Sequence, residues 1–264
     1  MARRVDERPR LAMEAGSALC EELPWDSSFF GISIARVVPS RLDHESCDAA
    51  LDWCRSRRVD CLYFLCALDD TSTQAVVTSA GFHLVSVKVT LARSSEAGRG
   101  EIQGHVRPAT AADVPRLRDI ASASHLDTRF HSDGNFDPAR CRELYATWIE
   151  NSVHGYADHV MVAERDSSAV GYITLHVDGK ESPDAGTRTA RIGLFAVDER
   201  WRNRGVGRDL LRRTAALLRE LGVEETSVVA AGRNVAGLKL YKSEGFHTTD
   251  VALWYHRWFR DGKR

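Results

Sequence analysis

Residues 197 to 208 read Val-Asp-Glu-Arg-Trp-Arg-Asn-Arg-Gly-Val-Gly-Arg, a strand end that runs through a glycine-bearing turn directly into a helix expected over 206–221. This pattern builds an anion cradle. Glycines at 205 and 207 let backbone N–H groups approach a ligand closely, and the helix start adds unpaired donors and the positive end of a dipole. Residues 200 to 219 hold seven Arg and one Asp. Arg202, Arg204 and Arg208 are assigned to the anion, whereas Arg212 and Arg219 continue the helical spacing of Arg208 and read as a solvated face. The Lys and hydroxyl of a Walker loop, G-x-x-x-x-G-K-[ST], are missing, and a dinucleotide fingerprint would need a third Gly in an early βαβ unit.

Around this turn lie 264 residues, 43% hydrophobic and 28% charged, enough for one large domain or two small ones with cores. Lys and Arg number 36 against 37 Asp and Glu, so no global field recruits nucleic acid or membrane. The longest apolar run, Leu62 to Leu68, is far shorter than the roughly 20 residues of a membrane-spanning helix. Arg3, Arg4, Arg8 and Arg10 have no apolar stretch behind them, so residues 1–20 read as a flexible leader and not a signal peptide. Six cysteines without a C-x-x-C or a metal-like pairing with the histidines imply reduced, mostly buried thiols in a cytoplasm and no metal site.

The stretch Ser94 to Gly104 has the composition of a linker, which places an N-terminal α/β unit at 21–93 and a second unit at 105–264. In the first, β-rich runs at 34–38, 61–68 and 83–91 alternate with helical patterns at 47–57 and 73–79. In the second, Thr110-x-x-Asp113 and Asp137-Pro138 open two helices, and Cys141, Leu144, Tyr145, Trp148 and Ile149 form a core stripe. Strands are expected at 159–164, 169–177, 189–197, 225–231 and 248–256, with a short helix at 236–243. Ser79-Ala-Gly-Phe-His83 also matches Ser243-Glu-Gly-Phe-His247, 164 positions later. If this is a repeat, Val77 stands where the second unit has Tyr241, and no Gly-rich loop precedes it.

Arg202-x-x-Gly205-x-Gly207 after a strand, with Asn234-Val-Ala236-Gly-Leu-Lys-Leu-Tyr241 at the expected distance beyond, resembles the two motifs of the GNAT superfamily of N-acetyltransferases. The resemblance covers about 160 residues, the whole second unit. It implies an α/β (α+β) GNAT acyltransferase fold, with a central mixed, mainly antiparallel sheet, preceded by a smaller truncated GNAT-like α/β unit. It also implies acetyl-CoA as cosubstrate, lying between two strands that splay apart. The pyrophosphate is then expected on Arg202, Asn203, Arg204, Gly205, Val206, Gly207 and Arg208. Pantetheine is expected along Leu194, Phe195, Ala196 and Val197, with Asn234 and Ala236 beside the cofactor. Backbone N–H near Phe195 would stabilise the oxyanion, and Tyr241 would protonate the leaving sulfur. Many relatives carry a Glu on the strand before the loop, but here that strand reads Arg191-Ile-Gly193-Leu-Phe195. The base is therefore left to ordered water or to His131, Asp133, His154 or His176.

The acceptor is expected to meet the polar segment 125–135, with Arg129, His131 and Asp133 as its ligands. Trp25-Asp-Ser-Ser-Phe29-Phe30-Gly31 resembles the opening of the dTDP-fucosamine acetyltransferases, two-unit members of the superfamily, as do Thr128-Arg-Phe130 and Tyr145-Ala-Thr-Trp148-Ile-Glu-Asn151. Trp25, Phe29 and Phe30 read as a hydrophobic plug in preference to a surface that stacks on the sugar. The resemblance implies a small-molecule partner, a dTDP-4-amino-4,6-dideoxyhexose acetylated on its 4-amino group, and a homodimer, with no nucleic acid or membrane partner. Another amine acceptor, or a non-catalytic acyl-CoA binding module, are the alternatives.

Overall fold

The computed structural model describes residues 18–95, 100–178 and 188–259, so the expected leader lies outside it except for its last residues. Internal contacts divide the chain into one unit of residues 1–88 with 251–264 and another of residues 89–250.

The first unit begins with β1 (Cys20–Glu22), α1 (Pro24–Phe30), β2 (Ile34–Val37) and α2 (His44–Ser56). It continues with β3 (Cys61–Ala67), α3 (Thr71–Ser79) and the start of β4 (His83–Ser94), and is completed by the end of β10 (His247–Trp258). β1 pairs antiparallel with β2, β2 parallel with β3, and β3 antiparallel with β10, from Ala67↔Ala252 to Cys61↔Trp258. Its core gathers Ala35, Val37, Leu51, Leu62, Phe64, Val77, Phe82 and Leu253 with Cys20, Cys47, Cys54 and Cys66. All six cysteines of the chain are buried free thiols. Apolar positions of α2 at 47, 50, 51 and 54 fall on one helical face, and that face is the buried one.

The second unit takes the end of β4, then β5 (His105–Pro108), α4 (Val114–Ser124), α5 (Arg129–Ser132), α6 (Pro138–Asn151), β6 (His159–Arg165) and β7 (Ser168–Asp178). It ends with β8 (Thr189–Val197), α7 (Val206–Glu220), β9 (Glu225–Ala231) and α8 (Val235–Ser243). Its strands run in the order β4-β9-β8-β7-β6-β5, with β8 and β9 parallel and β5 to β8 an antiparallel meander. Leu210, Leu211 and Leu218 of α7 pack on Met161, Ile173, Leu175 and Ile192. Asp113 closes the capping box with Thr110, and Asp137 caps α6 through the Ala139 N–H. Ser94 and Ser95 of the expected linker belong to this unit: Ser94 ends β4, and the Ser95 N–H donates to the Glu224 carbonyl at 2.8 Å.

The five-residue match found in the sequence extends through three whole elements. β3, α3 and β4 begin and end 164 positions before β9, α8 and β10. The helix exits also coincide in detail. Phe82 N–H donates to Val77 O at 3.0 Å and Phe246 N–H to Tyr241 O at 3.1 Å, across Gly81 and Gly245 with φ of 80° and 88°. Val77 and Tyr241 thus hold equivalent places.

Candidate active site

The turn after β8 is shaped by Asp198, whose carboxylate accepts the Arg200 N–H at 2.9 Å and is paired with Arg116. Hydrogen bonds from Arg200 and Arg116 hold this carboxyl at a pKa of about 2, below the usual carboxylate range, so the turn stays ionically pinned at any neutral pH. Asn203 and Gly205 then adopt φ of 60° and 82°, and α7 starts with Gly205 as its cap and no side chain on its first amides. Those amides are the donors an anion needs.

The side chains assigned to phosphate divide. Arg202 donates to Val197 O at 3.1 Å and to Ser124 Oγ at 3.3 Å, staying exposed beside the turn. Arg204 lies 5.3 Å from the Trp201 ring centroid. Arg208 instead donates to Glu244 at 3.0 Å, a buried carboxylate that it shares with Arg212 at 3.1 Å, so its side chain is tied back to the end of α8. The carbonyl of Glu244 in turn receives Arg93, a guanidinium 1% exposed whose pKa burial lowers to about 10. A Cβ at Gly207 would stand 2.9 Å from Leu240 Cδ2 and 3.3 Å from Phe195 Cζ, so this glycine lets α7 approach α8. A Cβ at Gly205 meets nothing within 4 Å and would project into open space.

The register of β8 with β9 stops at Ile192↔Val228, although both strands continue to Val197 and Ala231. Leu194, Phe195, Ala196 and Val197 therefore carry a strand edge that β9 does not cover. On the other side, β7 and β8 are offset by a bulge between Ile173↔Phe195 and Leu175↔Ile192. The Leu194 N–H turns to Thr174 Oγ1 at 2.8 Å, and Thr174 is fully buried. The extra residue changes the alternation, so Ile192 and Phe195, three apart, both pack into the cluster with α7.

Tyr241 sits in that same cluster, 5% exposed, its ring 5.9 Å from Phe195 and 5.5 Å from Phe246. Burial pushes its phenol well above the ordinary range, so the hydroxyl is protonated at pH 7 and able to donate. Asn234 caps α8 by accepting the Gly237 N–H at 3.0 Å, and Ala236 is exposed on its first turn. The uncapped helix start, the open β8 edge and the buried phenol together fit the phosphate, amide and sulfur of an acyl-CoA.

The residues assigned to the acceptor belong to α5 and its exit. Arg129 lies 4.6 Å over Phe130, and His131 Nδ1 is 3.2 Å from Thr128 Oγ1, its pKa lowered by burial. Asp133 holds Asn135 through N–H and Nδ2 at 3.1 and 2.8 Å. Arg233, at the β9–α8 turn, pins this segment through Asp127 at 3.1 Å. His154 is exposed in the kinked stretch Ser152–Tyr156, where its own backbone is non-helical. A second polar group escaped the sequence reading: His125 Nε2 is 2.8 Å from the buried Tyr172 Oη and stacks on Tyr145 at 4.6 Å. Burial lowers the His125 pKa to about 4, keeping the ring neutral. The signal was the polar alternation Tyr172, Thr174, His176 against Ile173, Leu175, Val177 on β7.

A glycine turn leading from an open strand edge into an uncapped helix, with a protonated phenol beside that edge, defines an acyl-CoA-dependent transferase. Residues 117–246 match the acetyltransferase (GNAT) family, and this part of the chain is a GNAT acetyltransferase domain, the domain of acetyl-CoA-dependent N-acetyltransferases. Over 247 residues the chain is 29% identical to a dTDP-fucosamine acetyltransferase of Escherichia coli O6:H1 (strain CFT073), covering 91% of this chain and 98% of that protein. Among solved structures, a GCN5-related N-acetyltransferase from Sphaerobacter thermophilus superposes with a TM-score of 0.64 at 15% identity, over 92% of this chain and 77% of that one. A tandem GNAT protein of the clavulanic acid biosynthesis pathway gives 0.57 at 15% identity, over 88% and 77%. These likenesses establish the mixed, mainly antiparallel GNAT fold. Among the described residues no helix is long and apolar enough to cross a membrane.

Proposed function

We propose that the protein transfers acetyl from acetyl-CoA to the 4-amino group of a dTDP-4-amino-4,6-dideoxyhexose in the cytoplasm. The observation that carries this reading is the span of the likeness to a dTDP-fucosamine acetyltransferase, which takes in residues of both units and not only the family domain. Acetyl-CoA supplies the acyl group already activated as a thioester. Backbone amides from Arg202 to Gly207 hold its pyrophosphate, Arg202 and Arg204 add charge, and the β8 edge receives the pantetheine amides as a further strand. Amides alternate in direction along a strand, so with the Leu194 N–H turned to Thr174 the Phe195 N–H points to the open edge. It is the donor for charge developing on the carbonyl oxygen. Tyr241 gives its proton to the departing sulfur.

The test is mass spectrometry of products formed from acetyl-CoA with dTDP-4-amino-4,6-dideoxyhexoses and, separately, with polyamines, aminoglycosides and peptide N-termini. Gain of one acetyl by the nucleotide sugars alone is expected. Efficient acetylation of the simple amines with the nucleotide sugars untouched would leave only the family activity.

A further inference from the structure

We infer that His176 is the base that takes the proton of the attacking amine. The inference rests on the acetyl-transfer reading above and concerns the group that β8 itself does not provide. Gly193 is the first residue of β8 beyond its register with β9, so it marks the point where the cleft opens. A Cβ at this position would lie 3.0 Å from His176 Nε2 and 2.9 Å from Thr174 Oγ1. The imidazole edge, Nε2 and Cδ2, therefore fills the volume that any side chain at position 193 would occupy. Its ring is set by an edge contact with Tyr156, centroids 5.4 Å apart.

The bulge places this base opposite the acid. Ile192 and Phe195 face α7 and Tyr241, whereas Gly193, between them, faces Thr174 and His176. A thioester lying along β8 then has the phenol on one face and the imidazole on the other. The amine approaches from the His176 side and its nitrogen bonds to the acyl carbon. Nε2 takes a proton from that nitrogen as the C–S bond breaks, and the thiolate takes the Tyr241 proton. His176 releases its proton to water and the Tyr241 phenolate regains one, which closes the balance.

The remaining candidates lack this placement. His154 is exposed, Asp133 is bonded to Asn135, and His131 is seated on Thr128 in α5. Among the described residues, the charged and titratable groups near His176 include Arg191 directly across on β8, Asp158 beside β7 through the Val177 N–H, Tyr156, and Asp178 two residues on.

The experiment combines His176→Ala with His176→Gln. Both are expected to bind acetyl-CoA within about threefold of wild type and to lose on the order of a hundredfold in kcat/KM for the acceptor, together with the acid limb of its pH profile. Added imidazole should restore roughly tenfold to His176→Ala and nothing to His176→Gln, which fills the space. Independently of any acceptor, the His176 ring resonance, assigned by its loss in the variants, should shift when acetyl-CoA saturates the wild-type protein. A resonance untouched by acetyl-CoA, a retained acid limb, or a loss that imidazole does not relieve would each overturn the inference. A wild-type enzyme that acetylates no amine would instead strike the acceptor reading, and the resonance still decides whether His176 lines the cleft.

Discussion

Tyr241→Phe is expected to lower kcat by about a hundredfold while leaving acetyl-CoA affinity within about twofold. The substitution removes one oxygen and keeps the ring, so the contacts with Phe195 and Phe246 survive. What is lost is the proton that the phenol carries at neutral pH, which burial makes still harder to lose to solvent. Because the sulfur becomes basic only as the C–S bond breaks, the missing interaction belongs to the transition state and appears in kcat. Steady-state kinetics beside calorimetric binding separates the two quantities. Unchanged turnover would remove Tyr241 from the chemistry, and a parallel loss of affinity would make it a binding residue.

Gly205→Val should raise the acetyl-CoA dissociation constant by at least about a hundredfold. Two effects add. At φ 82° a β-branched residue is strained by roughly 1–3 kcal/mol, which displaces the cap of α7. Its side chain also enters the open space beside the turn, where no protein atom lies within 4 Å of the Cβ. A melting temperature close to that of the wild type, with binding gone, would assign the loss to the blocked cradle. Normal affinity would move the pyrophosphate site elsewhere.

Much of this was legible in local sequence because the signals are local. Asp137-Pro138 names its own cap, α7 shows its apolar face at 206, 210, 211, 215 and 218, and the glycine turn announces an exposed backbone. Pairings across long separations were not. Arg208 donates to Glu244, a partner 36 residues away that no local pattern announces. Arg202 and Arg208 are equally basic and both exposed, and only the fold shows that Arg208 is the one joined to a buried carboxylate. The β8 bulge has a weaker signature, an isolated Gly193 inside a strand, which commonly marks a bulge or a close approach. Here it marks both, and His176 on the neighbouring strand could be paired with it only once the register was known. α5 and the kinked stretch Ser152–Tyr156 carry no amphipathic period because each is too short to show one.

The repeated elements give the account its sharpest consequence. The first unit has the parallel pair β2–β3, a helix in the place of α7 and the strand–helix–strand match, yet the chemistry of the second is missing from it. Asp43 caps α2 by accepting the Ser46 N–H at 2.8 Å, placing a carboxylate where α7 offers bare amides. That charge repels phosphate, and Val77 replaces the phenol.

Isothermal titration of the full chain with acetyl-CoA tests this central claim most directly. One molecule bound per chain is predicted, with binding lost in Gly205→Val. Two molecules per chain, or one whose binding survives that substitution, would contradict it.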